Sequence, residues 1–395
     1  MDKPKRKLRL IFNSNAQWSK SGYGQQMAEL LPYIVKEGFP VAMVAFYGLE
    51  GGTIELDGVK CYPKIRDMWG ADAILNHQKD FNADVAFTLQ DLWVVHPKPL
   101  NELKRFIPIC PIDHEHVPPA ILNRLKMAYR IVTYSKFGYN ELKSKGLHST
   151  YIPHTVNTKL LKPSDKLEAK KRLNIPPELF IFGMVAANKD NPSRKSFQQC
   201  MDAFKLFHDK HPKSGMYFHT ILNLEGGFNI KEYAVKLGIH NFIFSLPDYD
   251  QMYKVRREDM YHIYNAMDVL LNPSSNEGFG VPIIEAQSCQ VPVIVNNFTA
   301  MPELVEQGKT GYITEIGDKR FTALGEYVAL PDTTSIYEKM ELLFKDDREK
   351  MGKYAREQMI ENYDTERVFY SKWLPFLLLL EQEIYGKPNF PNQKT

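Results

Sequence analysis

At 395 residues and 44% apolar composition, the chain exceeds what one hydrophobic core usually holds, and about two to three domains are expected. Its 50 basic and 47 acidic side chains leave a net charge of +3, too balanced for a dedicated nucleic-acid binder. Four widely spaced cysteines (Cys61, Cys110, Cys200 and Cys289) lack CxxC spacing and read as reduced, buried thiols of a cytoplasmic protein.

In chain order, Lys3-Pro-Lys-Arg-Lys7 precedes only a strand-length apolar run, so no signal peptide is expected. The first strand is predicted over Leu8–Asn13 and a helix over Gln25–Lys36. Further strands follow at Val41–Phe46, Val85–Leu89, Phe106–Cys110 and Ile131–Tyr134, with helices over Leu122–Ala128 and Lys136–Lys145. The proline-flanked segment Tyr151–Pro163 breaks this pattern. A second alternating series runs through Phe180–Ala186, Met216–Leu222, Phe242–Ser245, Val269–Asn272 and Val291–Val295. Alternation of strand and helix argues for parallel sheets, and two Rossmann-like domains facing one cleft is the economical α/β arrangement. The longest apolar run near the end, Trp373–Leu380, is far short of the roughly 20 residues a spanning helix needs. A soluble protein, peripheral to a membrane at most, is expected.

The most informative stretch is Asn272-Pro-Ser-Ser-Asn-Glu-Gly-Phe-Gly-Val-Pro-Ile-Ile-Glu285. It joins the apolar run ending at Leu271 to a helix predicted over Ile283–Cys289, with Pro282 suited to its first position. Glu277 and Glu285 therefore flank a turn containing Gly278, Phe279 and Gly280, with Glu285 placed in the first helical turn. Free backbone N–H groups and the positive helix end suit a phosphate, whereas two carboxylates suit hydroxyls. Together they point to a sugar nucleotide at the carboxyl end of a strand, where open α/β sheets bind ligands.

These residues resemble the signature of the retaining GT-B glycosyltransferases of the family-4 (group 1) type. The resemblance continues through Glu285–Val295 and Met301–Gly311, about 45 residues at fixed spacing, the latter matched to a loop and helix. It implies a GT-B fold with residues 1–160 as the acceptor-side domain and 161–365 as the donor domain. Residues 366–395 would form a final helix crossing back to the first domain, over Arg367–Ile384, and a tail. Tyr151–Pro163 would be the interdomain passage. It implies transfer of a sugar from a UDP- or GDP-sugar to an acceptor hydroxyl, with no cofactor and no essential metal.

The family's diphosphate clamp is an Arg and a Lys. Within Asn188–Lys195, Lys195 matches the Lys, the Arg position falls at Lys189, and Arg194 is the alternative. The family's glycine-rich loop corresponds to Ser19-Lys-Ser-Gly-Tyr-Gly24, where Gly22 and Gly24 would let the backbone approach the donor. In Pro111–Pro119 the residue facing the donor sugar is matched to Asp113, with His114 and His116 as alternatives. Adjacent loop residues alone make a poor metal site. Asp248-Tyr-Asp250 has the Asp-x-Asp spacing of metal-dependent GT-A enzymes, but turn and capping use fits its place in the pattern better. Glu277, Lys195 and Asp113 are the expected catalytic groups, with Glu285 on the ribose.

Two departures stand out. Gln290 replaces a glycine usual after the motif helix, so that turn must differ or carry strain. The first domain matches weakly, leaving the acceptor open among glycan, lipid and protein, and Lys3, Lys5, Arg6 and Lys7 could touch anionic lipid. Two other functions fit the same residues: a GT-B epimerase-like hydrolase releasing free sugar, and a non-catalytic protein binding sugar nucleotides or glycans.

Overall fold

The computed structural model describes residues 6–386; Lys3 and Lys5 lie outside them. Among the described residues, a first sheet of eight strands contains β1 Leu10–Asn15, β2 Val41–Tyr47, β3 Ile54–Leu56, β4 Val59–Tyr62, β5 Val85–Leu89, β6 Phe106–Cys110, β7 Val132–Thr133 and β8 Thr150–Tyr151. Its order is β3-β4-β2-β1-β5-β6-β7-β8, parallel except for the β3/β4 pair. The second sheet contains β9 Phe180–Val185, β10 Ser214–His219, β11 Ile243–Phe244, β12 Val269–Asn272, β13 Val293–Asn296 and β14 Gly311–Thr314. It is parallel throughout, in the order β11-β10-β9-β12-β13-β14.

Helices on both faces explain why β5, β6, β12 and β13 are buried along their whole lengths. Such strands show continuous apolar runs rather than alternation. In each sheet the order of strands reverses once, at β1/β5 and at β9/β12. A crevice opens at such a reversal beyond the carboxyl ends of the strands. The loops that leave β1, β9 and β12 therefore open onto these crevices, and they are the loops singled out by sequence.

Several expected elements shift. The first strand begins at Leu10 because Leu8, although buried, precedes the pairing with β2. Met301–Gly311 forms only a short 3₁₀ turn over Met301–Leu304 before β14 begins. Its Gln307-Gly308 stretch and the Gly308 N–H bond to Gly311 O at 2.9 Å close a tight turn instead of a helix. The β3/β4 pair and an antiparallel hairpin, β15 Ile316–Phe321 with β16 Tyr327–Pro331, were not expected. Both include exposed strands with little apolar signal.

The terminal segment is helical over Thr365–Val368, turns through a wider coil over Phe369–Trp373, and continues over Leu374–Tyr385. It lies on the first sheet's side of the molecule. Trp373 meets Phe87 edge-on at 6.4 Å. Tyr385 Oη donates to Asp84 Oδ2 at 2.6 Å, and Tyr129 Oη donates to Glu383 Oε2 at 3.1 Å. No helix among the described residues is long and apolar enough to cross a membrane.

Candidate active site

The site is built on the second sheet's reversal. β12 ends at Asn272, and Gly280 starts the helix Val281–Ser288 with φ +109°. A side chain there would be strained and would meet Ile283 Cδ1 at 2.6 Å. Glycine is thus what allows the chain to turn from the loop into the helix. Among the described residues, no acceptor faces the backbone N–H groups of Gly278, Phe279 and Gly280, so these amides remain open to an anion. Gly278 lies against the first domain, where a Cβ would come within 3.1 Å of Pro111 Cβ and of Tyr134 Oη. The Phe279 ring is buried among His154, Tyr134 and Tyr363. Its contribution to a ligand is confined to the backbone.

Glu277 is buried and held from several sides. Its carboxylate pairs with Lys195 Nζ and lies 3.3 Å from Arg194 Nη1. Ser274 Oγ donates to it at 2.8 Å. Its N–H donates to Thr299 Oγ1 at 3.1 Å, and that hydroxyl donates back to Glu277 O at 2.9 Å. Burial pushes its carboxyl up, but Lys195 and Arg194 more than offset this and hold it at about 2. Arg194 also donates to Asn276 O, and its own carbonyl accepts from Ser275 N–H at 2.8 Å. The loop after β9 and the loop after β12 are therefore one hydrogen-bonded unit.

Glu285 is the fifth residue of its helix, past the first turn where the sequence placed it. It is buried with Tyr264 Oη donating to its carboxylate. Burial raises its pKa to about 7, against the pull of Tyr264 and Arg257.

Asp113 approaches from the first domain. Its Oδ1 lies 2.7 Å from His114 Nδ1, and Asn276 Nδ2 donates to its Oδ2 at 2.8 Å. Burial works against its charge, but His114 and Arg194 hold its carboxyl below the usual range. His116 turns away to Glu141, 3.1 Å distant. Lys189 is exposed and stands outside the cluster, whereas Arg194 joins it. The glycine loop also differs from expectation. Gly22 is exposed with open space around it, but Gly24 is buried, with a Cβ there falling 2.1 Å from Ser19 Oγ. Its missing side chain serves the packing of the loop on its own helix. Tyr23 Oη donates to Asp91 Oδ1 at 3.0 Å. Asp250 forms an ion pair with Lys254 at 2.7 Å, one helical turn away.

Sequence reasoning missed Asn276, Ser274, Tyr264 and Asp91. The first two lie inside the motif and could have been suspected from it. Tyr264 and Asp91 carried no local signal, because their partners are distant in the chain.

Residues 165–358 match the family described as glycosyl transferases group 1. This segment belongs to the group 1 glycosyltransferases. It is 34% identical over 210 residues to the capsular polysaccharide biosynthesis glycosyltransferase CapM of Staphylococcus aureus, covering 52% of this chain and 48% of that protein. It is 27% identical over 156 residues to N-acetyl-alpha-D-glucosaminyl L-malate synthase of Bacillus anthracis, covering 39% and 33%. The chain thus spans less than half the length of these curated relatives. Among solved structures, sucrose-phosphate synthase of Thermosynechococcus elongatus superposes with a TM-score of 0.74 at 15% identity, over 95% of this chain and 99% of that one. Anabaena HepE, solved with UDP and glucose, gives 0.68 at 13% identity, over 93% and 99%. These likenesses establish the GT-B fold.

Proposed function

We propose that the chain transfers a sugar from a UDP- or GDP-sugar to an acceptor hydroxyl, with retention of anomeric configuration and without a metal ion. The observation that carries this reading is the buried Glu277, paired with Lys195 and Arg194 beside open amides at a helix start. Cleaving the bond from the anomeric carbon to phosphate leaves positive charge on the sugar ring and negative charge on the diphosphate. Lys195, Arg194 and the amides of Phe279 and Gly280 are placed to meet the negative charge. Losing one such interaction typically costs about 2.7–4 kcal/mol, or about 10²–10³ in rate.

Glu277, ionised at neutral pH, accepts hydrogen bonds from donor-sugar hydroxyls, and Glu285 takes the ribose. In a same-face reaction the acceptor oxygen bonds to the anomeric carbon as the phosphate oxygen leaves, and the acceptor proton passes to that phosphate. Asp113, tied across the cleft to Asn276, orients the sugar from the first domain. The free, buried thiols of Cys61, Cys110, Cys200 and Cys289 favour a reducing, cytoplasmic location. CapM is named for capsular polysaccharide biosynthesis and the HepE structure holds UDP and glucose, both in keeping with a nucleotide-sugar donor.

Thermal unfolding with a panel of UDP-, GDP- and ADP-sugars, with and without magnesium, tests the reading. A stabilising donor whose effect is unchanged by magnesium is expected. No stabilisation by any donor, or stabilisation only with magnesium, overturns it.

A further inference from the structure

Large aromatic side chains crowd the mouth of the cleft without being buried there. The chain has four tryptophans. Trp373 is buried at 6% exposure and Trp93 is 44% exposed, while Trp18 and Trp69 stand 39% and 40% exposed, beside Tyr47 at 60%. They form one group at the carboxyl ends of β1 and β2. Asn15 of β1 is in register with Tyr47, and Ala16 N–H donates to Tyr47 O at 2.8 Å. Trp18 Nε1 donates to Gly48 O at 2.8 Å. Trp69 packs edge-on to Phe46 at 6.0 Å; its carbonyl accepts from Asn13 Nδ2 at 2.9 Å, and its N–H donates to Asp67 Oδ1 at 2.9 Å. The Trp18 indole is held by its own hydrogen bond, and Trp69 by its backbone bonds and the contact with Phe46.

The group runs directly into the glycine loop. Lys20, two residues beyond Trp18, reaches across to the second domain and donates to Gln251 O at 3.2 Å and Met252 O at 2.8 Å. That turn carries Tyr249 and Tyr253, 64% and 67% exposed, with their rings 5.0 Å apart. The Asp248-Tyr-Asp250 stretch that resembles a metal motif thus contributes an exposed tyrosine to the far side of the same mouth.

We propose that Trp18, Tyr47 and Trp69, with Tyr249 and Tyr253 opposite, form a stacking platform that binds the acceptor, and that the acceptor is a preformed oligosaccharide. This rests on the glycosyl-transfer reading of the adjoining site. Pyranose rings have apolar C–H faces that lie flat on indole and phenol rings while their hydroxyls stay in water. Several fixed rings on two walls span more than one sugar, which favours a chain over a monosaccharide. An anionic membrane surface would need an excess of basic side chains around the patch. Between Tyr47 and Asp72, acidic side chains outnumber basic ones by five to three, which favours the glycan. An apolar patch of this kind on a single protein marks an interaction site.

The test uses the full chain, fluorescently labelled, on an array of immobilised neutral and acidic oligosaccharides. Parallel sedimentation is done with phosphatidylcholine/phosphatidylglycerol vesicles, and the thermal shifts induced by UDP and by GDP are measured on every variant. Wild type should bind a subset of the glycans. The double variant W18A/W69A should lose about tenfold or more in apparent affinity, as aromatic hot spots do, and W18F/W69F should keep most of the binding. Equal glycan binding by wild type and W18A/W69A overturns the proposal. So does the absence of glycan binding by wild type, whether or not the vesicles are bound. A normal UDP or GDP shift in the variants shows that the fold and donor half are intact. A wild type shifted by neither nucleotide is instead a failure of the donor assignment, so the two failures are distinguishable.

Discussion

Replacing Glu285 with glutamine should stabilise the protein, and only above a certain pH. Glu285 is buried, and its carboxyl is raised from 4.5 to about 7. A raised acid binds its proton more tightly in the folded state than in the unfolded chain. Its contribution is therefore fully present below about pH 4.5 and is lost as pH rises through about 7. At about 1.4 kcal/mol per pH unit of displacement, the ionised carboxylate costs the fold about 3 kcal/mol once pH exceeds 7. Glutamine keeps the shape and an oxygen that can accept from Tyr264, and it cannot ionise. The variant should unfold at nearly the wild-type temperature at pH 5. At pH 8 it should unfold higher, by about 6–12 °C at 2–4 °C per kcal/mol for a domain of this size. Differential scanning calorimetry at both pH values reads this directly. A temperature difference that is the same at pH 5 and pH 8, or a variant less stable at pH 8, refutes the reasoning. The same titration should show in ligand binding. The affinity of wild type for whichever sugar nucleotide stabilises it, whose phosphates stay ionised, should weaken as pH falls below 7, while that of E285Q should be weaker and nearly flat.

Other outcomes follow from the same contacts. Lys195→Met leaves the buried Glu277 with Arg194 alone, and should cost about 3–5 kcal/mol in chemical denaturation along with nearly all sugar transfer. Adding Glu277→Gln should recover much of the stability and none of the turnover; recovery of turnover would contradict the assigned roles. Asn276→Ala removes the bond to Asp113 across the cleft, worth about 1.5–3 kcal/mol where one partner is charged. It should raise the radius of gyration in small-angle scattering without lowering the unfolding temperature of the second domain. Gln290 sits at φ +64°, a left-handed conformation costing about 1–2 kcal/mol for a residue with a side chain. Gln290→Gly should be neutral to stabilising by about 1 kcal/mol in a urea titration, and Gln290→Val clearly destabilising.

The donor half was legible because its signal is local. Strand β12, the turn and the helix that follows are contiguous, and the β9 loop carries its basic pair in a single run. Gln290 was legible as a conflict, and the structure resolves it by strain: the residue takes the glycine-like conformation. The space there is already used, since Gly352 packs so closely that a Cβ on it would fall 2.1 Å from Gln290 O. What failed was whatever depends on contacts between distant segments. Gly24 has the sequence context of a ligand-facing glycine, but Ser19 fills the space beside it. Lys189 matched by position but points into solvent, and Arg194 fills its place because the β12 loop binds it through Asn276 and Ser275. The exposed strand β15 gave no periodic signal, and β16 is buried only over its last three residues, yet the hairpin supports the motif: Ala329 N–H donates to Ser275 O at 3.1 Å, and Asn296 ties Ser274 to Ala329.

Two glutamates eight positions apart look interchangeable in sequence, and the fold sets them in opposite electrostatic states. Glu277 has two cations in its own loop system and is ionised well below neutrality. Glu285 has a tyrosine hydroxyl and burial, and it titrates near neutrality. The difference assigns the pairing that must change when a donor arrives. Lys195 is committed to Glu277, so a diphosphate entering between Lys195 and the open amides of the motif turn competes directly for that ammonium group. On the proposed donor reading, Glu277 would then keep Arg194 and Ser274 and gain the sugar hydroxyls in place of the lysine. Phosphate binding and sugar binding would thereby be coupled through one side chain. A nucleotide diphosphate lacking the sugar should loosen the Lys195–Glu277 pair without supplying Glu277 a substitute. UDP should therefore bind more weakly than UDP-sugar in wild type, and the gap should close in Glu277→Gln, where the amide has no ion pair to lose. Isothermal titration of both ligands against both proteins measures it, and an undiminished gap in the variant would show that the sugar is held elsewhere.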